Sequence, residues 1–349
     1  LLRDMTLGGL STYNRYHGAG QMKPNLRIVM SLAAAGLIGL QHGGEVSAQQ
    51  PLTPEPVYDS AAGTFISVEE LIERLTGADV VYVGETHTNY AHHLAQLDIL
   101  KGLHASNPRL VMGWEMFHSS QQPLLDAYTG GWLPEVEWLD AIYWKQTWGH
   151  PYSYYRPLLD YARDNGVRVF GLNAPRAVVR GVRTLGREGM TEDLAYWLPA
   201  GFWDRIHIDT EKPYEEWFME NARHSEDMTD DMMKLMFCSQ TAWNEIMAWN
   251  IVKAFNVIPD PGVQVLVIVG SGHAIFGQGI PTRVALLRSD FKQVVVMPYT
   301  SDRVMPLDEI LEEEMGLEGD YIWFVPPAGD PPDLERPGPP EDPPPSHRP

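Results

Sequence analysis

Short runs of aliphatic and β-branched residues, separated by helix-length segments, are the feature that most constrains the fold of this chain. They lack the polar alternation of half-exposed strands, so they predict strands that are covered on both faces. The predicted strands are residues 79–83, 109–113, 167–171, 264–269, 292–297 and 321–325. Helical patterns lie between them, at residues 68–76, 90–104, 157–165 and 228–255. Because connections of this length join parallel strands, we expect an α/β fold with a mostly parallel central sheet flanked by helices.

Two stretches of the predicted α/β domain, which we place at residues 67–325, have no strand pattern. They cover about residues 121–155 and 184–222 and are rich in Trp, Tyr, Met and acidic residues. We expect a smaller helical cap or insertion there. Its aromatic rings fit either the packing of a junction between cap and sheet or a platform for a ligand, and the sequence leaves both open.

Residues 22–48 have the pattern of a secretory signal peptide. Lys23 and Arg27 precede an apolar run at residues 28–40, and small residues lead up to Ala48. The run is shorter than a bilayer span requires, although an uncleaved anchor or a buried helix would have a similar composition. We therefore expect an exported protein, periplasmic or extracellular, that is cleaved near Ala48 and has no stable membrane span.

The remaining terminal segments have no pattern of a folded domain. We interpret residues 1–21 as an upstream leader outside the fold and residues 49–66 as a linker. Residues 326–349 contain 11 prolines among 24 residues, a composition that predicts a disordered tail. Cys238 is the single cysteine of the chain, so no internal disulfide can form.

The charge of the chain excludes one class of partner. Its 46 acidic and 26 basic residues give a formal net charge of −20. A field of this sign repels the phosphate backbone of nucleic acids. We therefore expect a small ligand and no nucleic acid as partner.

Polar residues follow four of the predicted strands directly. They are Glu85 and His87, Glu115, Asn173, and His273. Both histidines lie at the end of a Gly-x-x-His element, which begins at Gly84 in one case and at Gly270 in the other. The carboxyl ends of parallel strands lie at one edge of a sheet, where α/β proteins bind ligands, so we expect these side chains to converge on one pocket. A single histidine after a strand is more often a hydrogen-bonded structural residue, but several converging groups favour a site.

The first turn of the helix predicted at residues 90–104 adds His92 and His93. Adjacent helical residues point about 100° apart, so one of the two should face the pocket, and we favour His93. Imidazole nitrogens and carboxylate oxygens suit a zinc, manganese or iron ion, and His or Tyr can be an axial ligand of haem.

Taken in order, these motifs resemble the ChaN-like haem-binding uptake proteins, a family within the superfamily of Tiki proteins, TraB proteins and erythromycin esterases. The resemblance extends over roughly residues 77–283 and includes both Gly-x-x-His elements, Glu115-Met116-Phe117 and Leu172-Asn173-Ala174-Pro175-Arg176. It implies an extracytoplasmic protein that binds haem for iron uptake, often between two subunits, so a homodimer is one expected state. The candidate haem-binding residues that it implies are His87, His93, Tyr155, Asn173 and His273.

The same elements also resemble those of Tiki-type metal-dependent proteases. This alternative is a hydrolase with a divalent metal, and its candidate ligands are Glu85, His87, His92, Glu115 and His273. One of the two acids, Glu85 or Glu115, would then be the general base. Haem binding is the interpretation that we place first.

Overall fold

The computed structural model describes residues 56–206, 212–221, 228–258, 261–312, 315 and 318–332. The predicted leader and signal peptide lie outside the described residues, as do residues 49–55 of the predicted linker.

An eight-stranded sheet forms the centre of the described part of the chain. Its strands are β1 (Val57–Asp59), β2 (Thr64–Ile66), β3 (Val80–Glu85), β4 (Leu110–His118), β5 (Arg168–Asn173), β6 (Gln264–Gly270), β7 (Gln293–Thr300) and β8 (Tyr321–Val325). Their order is β2-β1-β8-β7-β3-β6-β4-β5. The six strands from β8 to β5 are parallel, whereas β1 is antiparallel to both β2 and β8.

Helices surround this sheet and also form the cap. They are α1 (Val68–Leu75), α2 (Tyr90–Ser106), α3 (Gln122–Thr129), α4 (Glu135–Ala141), α5 (Trp144–Thr147), α6 (Arg156–Asn165), α7 (Arg176–Gly189), α8 (Glu192–Ala195), α9 (Phe202–Arg205), α10 (Lys212–Asn221), α11 (Asp230–Val257), α12 (Ile280–Leu287) and α13 (Leu307–Glu312). Short 3₁₀ turns lie at Ser119–Gln121, Tyr152–Tyr154, Ser271–His273 and Ile275–Gly277. The predicted α/β fold with a mostly parallel sheet and a smaller helical part is confirmed.

The sheet is covered on both faces, which explains why its strands have continuous apolar sequences. In β3, Val81 and Val83 pack in the core that includes α2 and α6, whereas Val80 and Tyr82 pack in the core that includes α11 and α12. Successive side chains of a strand point to opposite faces, so each strand needs apolar residues at every position. In the described part of the chain, no helix combines the length and the apolar character that a membrane crossing requires.

Two of the predicted terminal segments are wrong where the structure describes them. The predicted linker contains β1 and β2, and the three residues of β1 are buried against β8. The predicted tail begins at residue 326, yet Ala328 packs against the core and Pro331 is buried. Asp330 Oδ1 also accepts a 3.3 Å hydrogen bond from the Tyr154 hydroxyl. Short paired strands and proline-rich segments can thus be held by tertiary contacts that local composition does not reveal.

Candidate functional site

The carboxyl ends of three neighbouring strands bring together a set of histidines and acids. We call this set the rim, and its members are Glu85, His87, His93, Glu115 and His273. Strand β6 lies between β3 and β4, and Gly270 at its end pairs with Glu85 in the sheet register. Glu115 Oε2 accepts a 2.7 Å hydrogen bond from the Gly270 N–H, although the two residues are 155 positions apart. The two acids therefore lie on either side of the end of β6.

Glu85 is 3% exposed and binds four groups of the protein. Its Oε1 lies 2.8 Å from His87 Nδ1 and accepts a 3.1 Å hydrogen bond from the Tyr155 hydroxyl. Its Oε2 accepts from Gln96 Nε2 at 3.0 Å and lies 3.2 Å from His93 Nδ1. Burial raises the pKa of Glu85, but the charge of His93 and the hydrogen bond and charge of His87 outweigh burial, so the net pKa is lowered. Glu85 is therefore an ionised carboxylate at neutral pH.

The ring of His93 is surrounded by hydrogen-bond acceptors. Nδ1 lies 3.1 Å from Gln96 Oε1, and Nε2 lies 3.2 Å from the His87 carbonyl oxygen. The Gln96 amide is oriented by its Nε2, which donates to the Val83 carbonyl and to Glu85. His93 is 1% exposed, so groups of the protein surround both of its ring nitrogens.

Glu115 and His273 form the second pair of the rim. His273 Nε2 lies 3.2 Å from Glu115 Oε1, and its Nδ1 donates to Asn244 Oδ1 at 2.6 Å. The Asn244 amide is oriented because its Nδ2 donates to the Tyr214 hydroxyl. Burial raises the pKa of Glu115, but the charge and hydrogen bond of His273, the charge of His87 and the Gly270 N–H lower it to about 2.

His87 connects the two pairs. A Cβ atom added to Gly270 would lie 2.8 Å from His87 Cε1 and 3.4 Å from Glu115 Oε2, so the imidazole lies directly over this glycine. Burial lowers the pKa of His87, but the Glu85 hydrogen bond and the charges of Glu115 and Glu85 raise it above its ordinary value. The rim is thus a row of alternating imidazoles and carboxylates.

Comparison with known proteins places this chain in a family. The family model described as haem-binding uptake, Tiki superfamily, ChaN matches residues 71–284, which include every residue of the rim. The chain belongs to the ChaN family of haem-binding uptake proteins.

A solved ChaN structure has the same fold as this chain. The structure described as cofacial haem binding to ChaN of Campylobacter jejuni has a TM-score of 0.58 and 20% sequence identity, and covers 77% of this chain and 96% of that chain. An erythromycin esterase mutant in its open conformation has a TM-score of 0.41 and 12% identity, and covers 71% of this chain and 77% of that chain.

A plant protein is similar over a shorter segment. Protein RETICULATA-RELATED 5, chloroplastic, of Arabidopsis thaliana is 31% identical over 139 residues, or 37% of this chain. The matched segment spans only 18% of the length of that relative.

The other predicted site residues of this ChaN-family chain are engaged by the protein itself. His92 Nδ1 accepts from the Thr86 N–H at 3.0 Å, and burial with the charge of His93 lowers its pKa to about 4. Tyr155 is fully buried, and burial together with the charge of Glu85 raises the pKa of its phenol. Asn173 Nδ2 donates to the Glu115 carbonyl at 3.2 Å. The structure therefore brings all predicted residues to one end of the sheet, and their roles in binding stay predictions.

Two residues beside the rim were not predicted from the sequence. The His150 ring lies 5.1 Å from the His87 ring, and the Trp148 ring meets the His87 ring edge-on at 4.8 Å, both measured between centroids. Burial, followed by the charge of His87, lowers the pKa of His150. Neither residue follows a strand, so the strand pattern does not reveal them. The sequence signal in this segment is that Gly149 and Pro151 flank His150, which indicates a turn.

The metal ligands of the hydrolase alternative are not arranged as a metal site. Among the residues that the structure describes, no three His, Cys, Asp or Glu side chains are placed to hold a metal ion. The metal assignment stays a prediction.

Proposed function

We propose that this chain binds haem beside the rim, as an iron-uptake protein of its family. The observation that carries the proposal is the family match over residues 71–284. The donor set is compatible with haem, because imidazole is a common axial ligand and the flat ring of Trp148 lies next to the imidazoles. Haem would supply the iron centre, and the residues of the chain would bind and orient its plane.

A homodimer is part of the same proposal. The solved ChaN of Campylobacter jejuni is described as binding haem cofacially. If two copies of this chain share haem, the molar mass of the protein in solution should double when haemin is added. Light scattering with and without haemin measures this change, and a mass that stays that of one chain would contradict the dimer.

Titration with haemin tests the proposed ligand. We expect a saturable shift of the Soret band, with haemin retained on gel filtration. Gly270→Ala should weaken binding, because the new Cβ would lie 2.8 Å from His87 Cε1 and displace that ring. Gly329→Ala is the matched control, because no atom lies within 4 Å of its added Cβ.

Elemental analysis for zinc, manganese and iron on the same sample tests the metal alternative. Bound metal without any shift of the Soret band would contradict haem binding and favour the metal alternative.

Export is a separate proposal that the signal-like residues 22–48 support. Mass spectrometry of the protein recovered from its native compartment should find a mature N-terminus just after Ala48. Recovery of the uncleaved chain from the cytoplasm would contradict export.

A further inference from the structure

The rim is largely covered by the protein itself. None of its five side chains is more than 18% exposed, which is the value for His87. The segment between α5 and Tyr155, residues 148–154, lies against it, and we call this segment the cap loop. The rings of Trp148 and His150 lie 4.8 Å and 5.1 Å from the His87 ring, between centroids. Because binding sites enclose most of a ligand's surface, a ligand as large as haem could contact the rim only after the cap loop moves.

The C-terminal end of the described chain is attached to this cap loop. Strand β8 is parallel to β7 and β3, so it ends at Val325 on the same edge of the sheet as the rim. Residues 326–332, which we call the strap, continue from there. Asp330 Oδ1 accepts a 3.3 Å hydrogen bond from the hydroxyl of Tyr154, the last residue of the cap loop. Ala328 packs against the core and Pro331 is buried, so the strap is held at several points.

The strap has the length and the stiffness that this connection needs. Four of its seven residues are prolines. In an extended proline-rich conformation, seven residues span about 20 Å. Two strand spacings, the separation of β8 from β3, amount to about 10 Å. Because proline fixes φ, the strap loses less conformational entropy on docking than a flexible segment would.

Tyr154 connects the strap to the buried acids of the rim. Its ring lies 5.7 Å from the His93 ring, between centroids. The next residue, Tyr155, donates to Glu85 Oε1 at 3.1 Å and to the His87 carbonyl oxygen at 3.3 Å. The strap therefore holds the cap loop at the end where this loop meets the rim.

We propose that the strap keeps the cap loop closed over the rim, and that its release limits the entry and exit of the ligand. The identity of the ligand rests on the proposed haem binding, whereas the motion of the cap loop does not. A strap that docks equally in the free and the bound protein stabilises both closed forms. Its weakening should therefore speed entry and exit by the same factor and leave the affinity unchanged.

Two variants weaken the strap to different degrees. Tyr154→Phe removes only the hydroxyl that donates to Asp330, and a chain that ends at residue 325 lacks the whole strap. Stopped-flow mixing measures the association of haemin, and transfer to excess apomyoglobin measures its release. We expect both rates to rise about threefold in Tyr154→Phe and about tenfold in the shortened chain, while the dissociation constant changes by no more than about twofold.

Hydrogen exchange tests the motion without any haemin. The amides of residues 148–154 should exchange faster in both variants, and the increase should be larger there than in the rest of the chain. Two controls keep the strap docked. They are a chain that ends at residue 332 and Gly329→Ala, a change within the strap whose added Cβ would have no atom within 4 Å. Both should retain the rates and the exchange of the unmodified protein.

The other outcomes separate the two proposals. Unchanged rates and unchanged exchange in both variants would overturn the role of the strap. An equal rise of exchange throughout the chain would also overturn it, since that indicates general destabilisation, as would a loss of affinity without faster association. Faster exchange of the cap loop in a protein that binds no haemin would uphold the strap and overturn the proposed function.

Discussion

Glu85 and Glu115 are buried carboxylates that the fold keeps ionised. Each lies 3.2 Å from an imidazole nitrogen, that of His93 in the first case and that of His273 in the second. Burial alone would favour their neutral forms, so the lowered pKa of each acid reports the strength of these pairings. The rim is therefore a source of pH dependence for the whole fold.

Acid should destabilise the protein through Glu115. Its pKa is lowered from 4.5 to about 2, so its contribution to folding is present above the unfolded value and is lost as pH falls between these limits. The full contribution is on the order of 3 kcal/mol. Urea unfolding between about pH 6 and pH 2.5 should therefore show a steeper loss of stability for the unmodified protein than for Glu115→Gln.

The control for this prediction is Glu137→Gln, because Glu137 is exposed on α4. The Glu137→Gln variant should lose stability with falling pH to the same extent as the unmodified protein. If the free energy of unfolding falls equally with pH in Glu115→Gln and in the unmodified protein, the Glu115 carboxylate does not stabilise the fold as its lowered pKa implies.

Among individual residues, the sequence reveals the ionisable side chains that follow a strand and misses those that do not. Glu85, His87, Glu115 and His273 could be predicted because the strand pattern before each one places it at a known edge. His150 could not, because its position depends on the path of the cap between α5 and α6. Nor could the sequence reveal that His93 is bound on both nitrogens, since this depends on the orientation of Gln96.

Helix α11 connects the rim to the helical part of the protein. The helical spacing of four residues predicts a packing stripe with a polar end; they are Gln240, Trp243, Asn244 and Met247. Met247 and Trp243 do pack in the core. Asn244 and Gln240, however, lie against His273 Nδ1, at 2.6 Å and 3.1 Å. Periodicity identifies the buried face of a helix but does not identify what a polar residue on that face binds.

The next residue of α11, Glu245, holds α9 and α12 in place. Its Oε1 accepts from Arg205 Nε at 2.6 Å, and its Oε2 accepts from Arg283 at 3.2 Å. Glu245 and Arg283 are both fully buried. Removal of one partner of a buried pair leaves a charge without compensation, so Glu245→Ala should lower the free energy of unfolding by about 3–5 kcal/mol.

A surface pair provides the comparison for this measurement. Arg303 and Glu309 also form an ion pair, but their side chains are 54% and 39% exposed. Glu309→Ala should cost no more than about 1 kcal/mol. If chemical denaturation gives Glu245→Ala and Glu309→Ala the same loss of unfolding free energy, the prediction for Glu245 is wrong.

The strands of the sheet differ in how well the sequence reveals them. The six parallel strands were all predicted, because burial on both faces imposes a continuous apolar run on each. Strands β1 and β2 have only three residues each, too few to display an alternation, and the pairing of β1 with β8 joins segments far apart in the chain. Strand β4 extends to His118 beyond its apolar run, and Glu115 is accommodated there because His273 and Gly270 bind it.

For the whole molecule, we predict that residues 326–332 stabilise the domain. Ala328 packs on the core, Pro331 is buried and Asp330 accepts from Tyr154, a residue whose ring lies 5.7 Å from that of His93. A chain that ends at residue 325 should therefore be less stable than one that ends at residue 332, by about 1–2 kcal/mol. Chemical denaturation of the two chains measures the difference, and identical midpoints would contradict the prediction.

The order of strands in the sheet has a consequence for biosynthesis. Strand β6 lies between β3 and β4 in space but follows both along the chain. On the ribosome, Glu85 and Glu115 therefore emerge well before Gly270 and His273, and no strand yet separates β3 from β4. The growing polypeptide cannot assemble the rim until the central strand inserts, so the proposed haem site can form only after translation of the sheet is nearly complete.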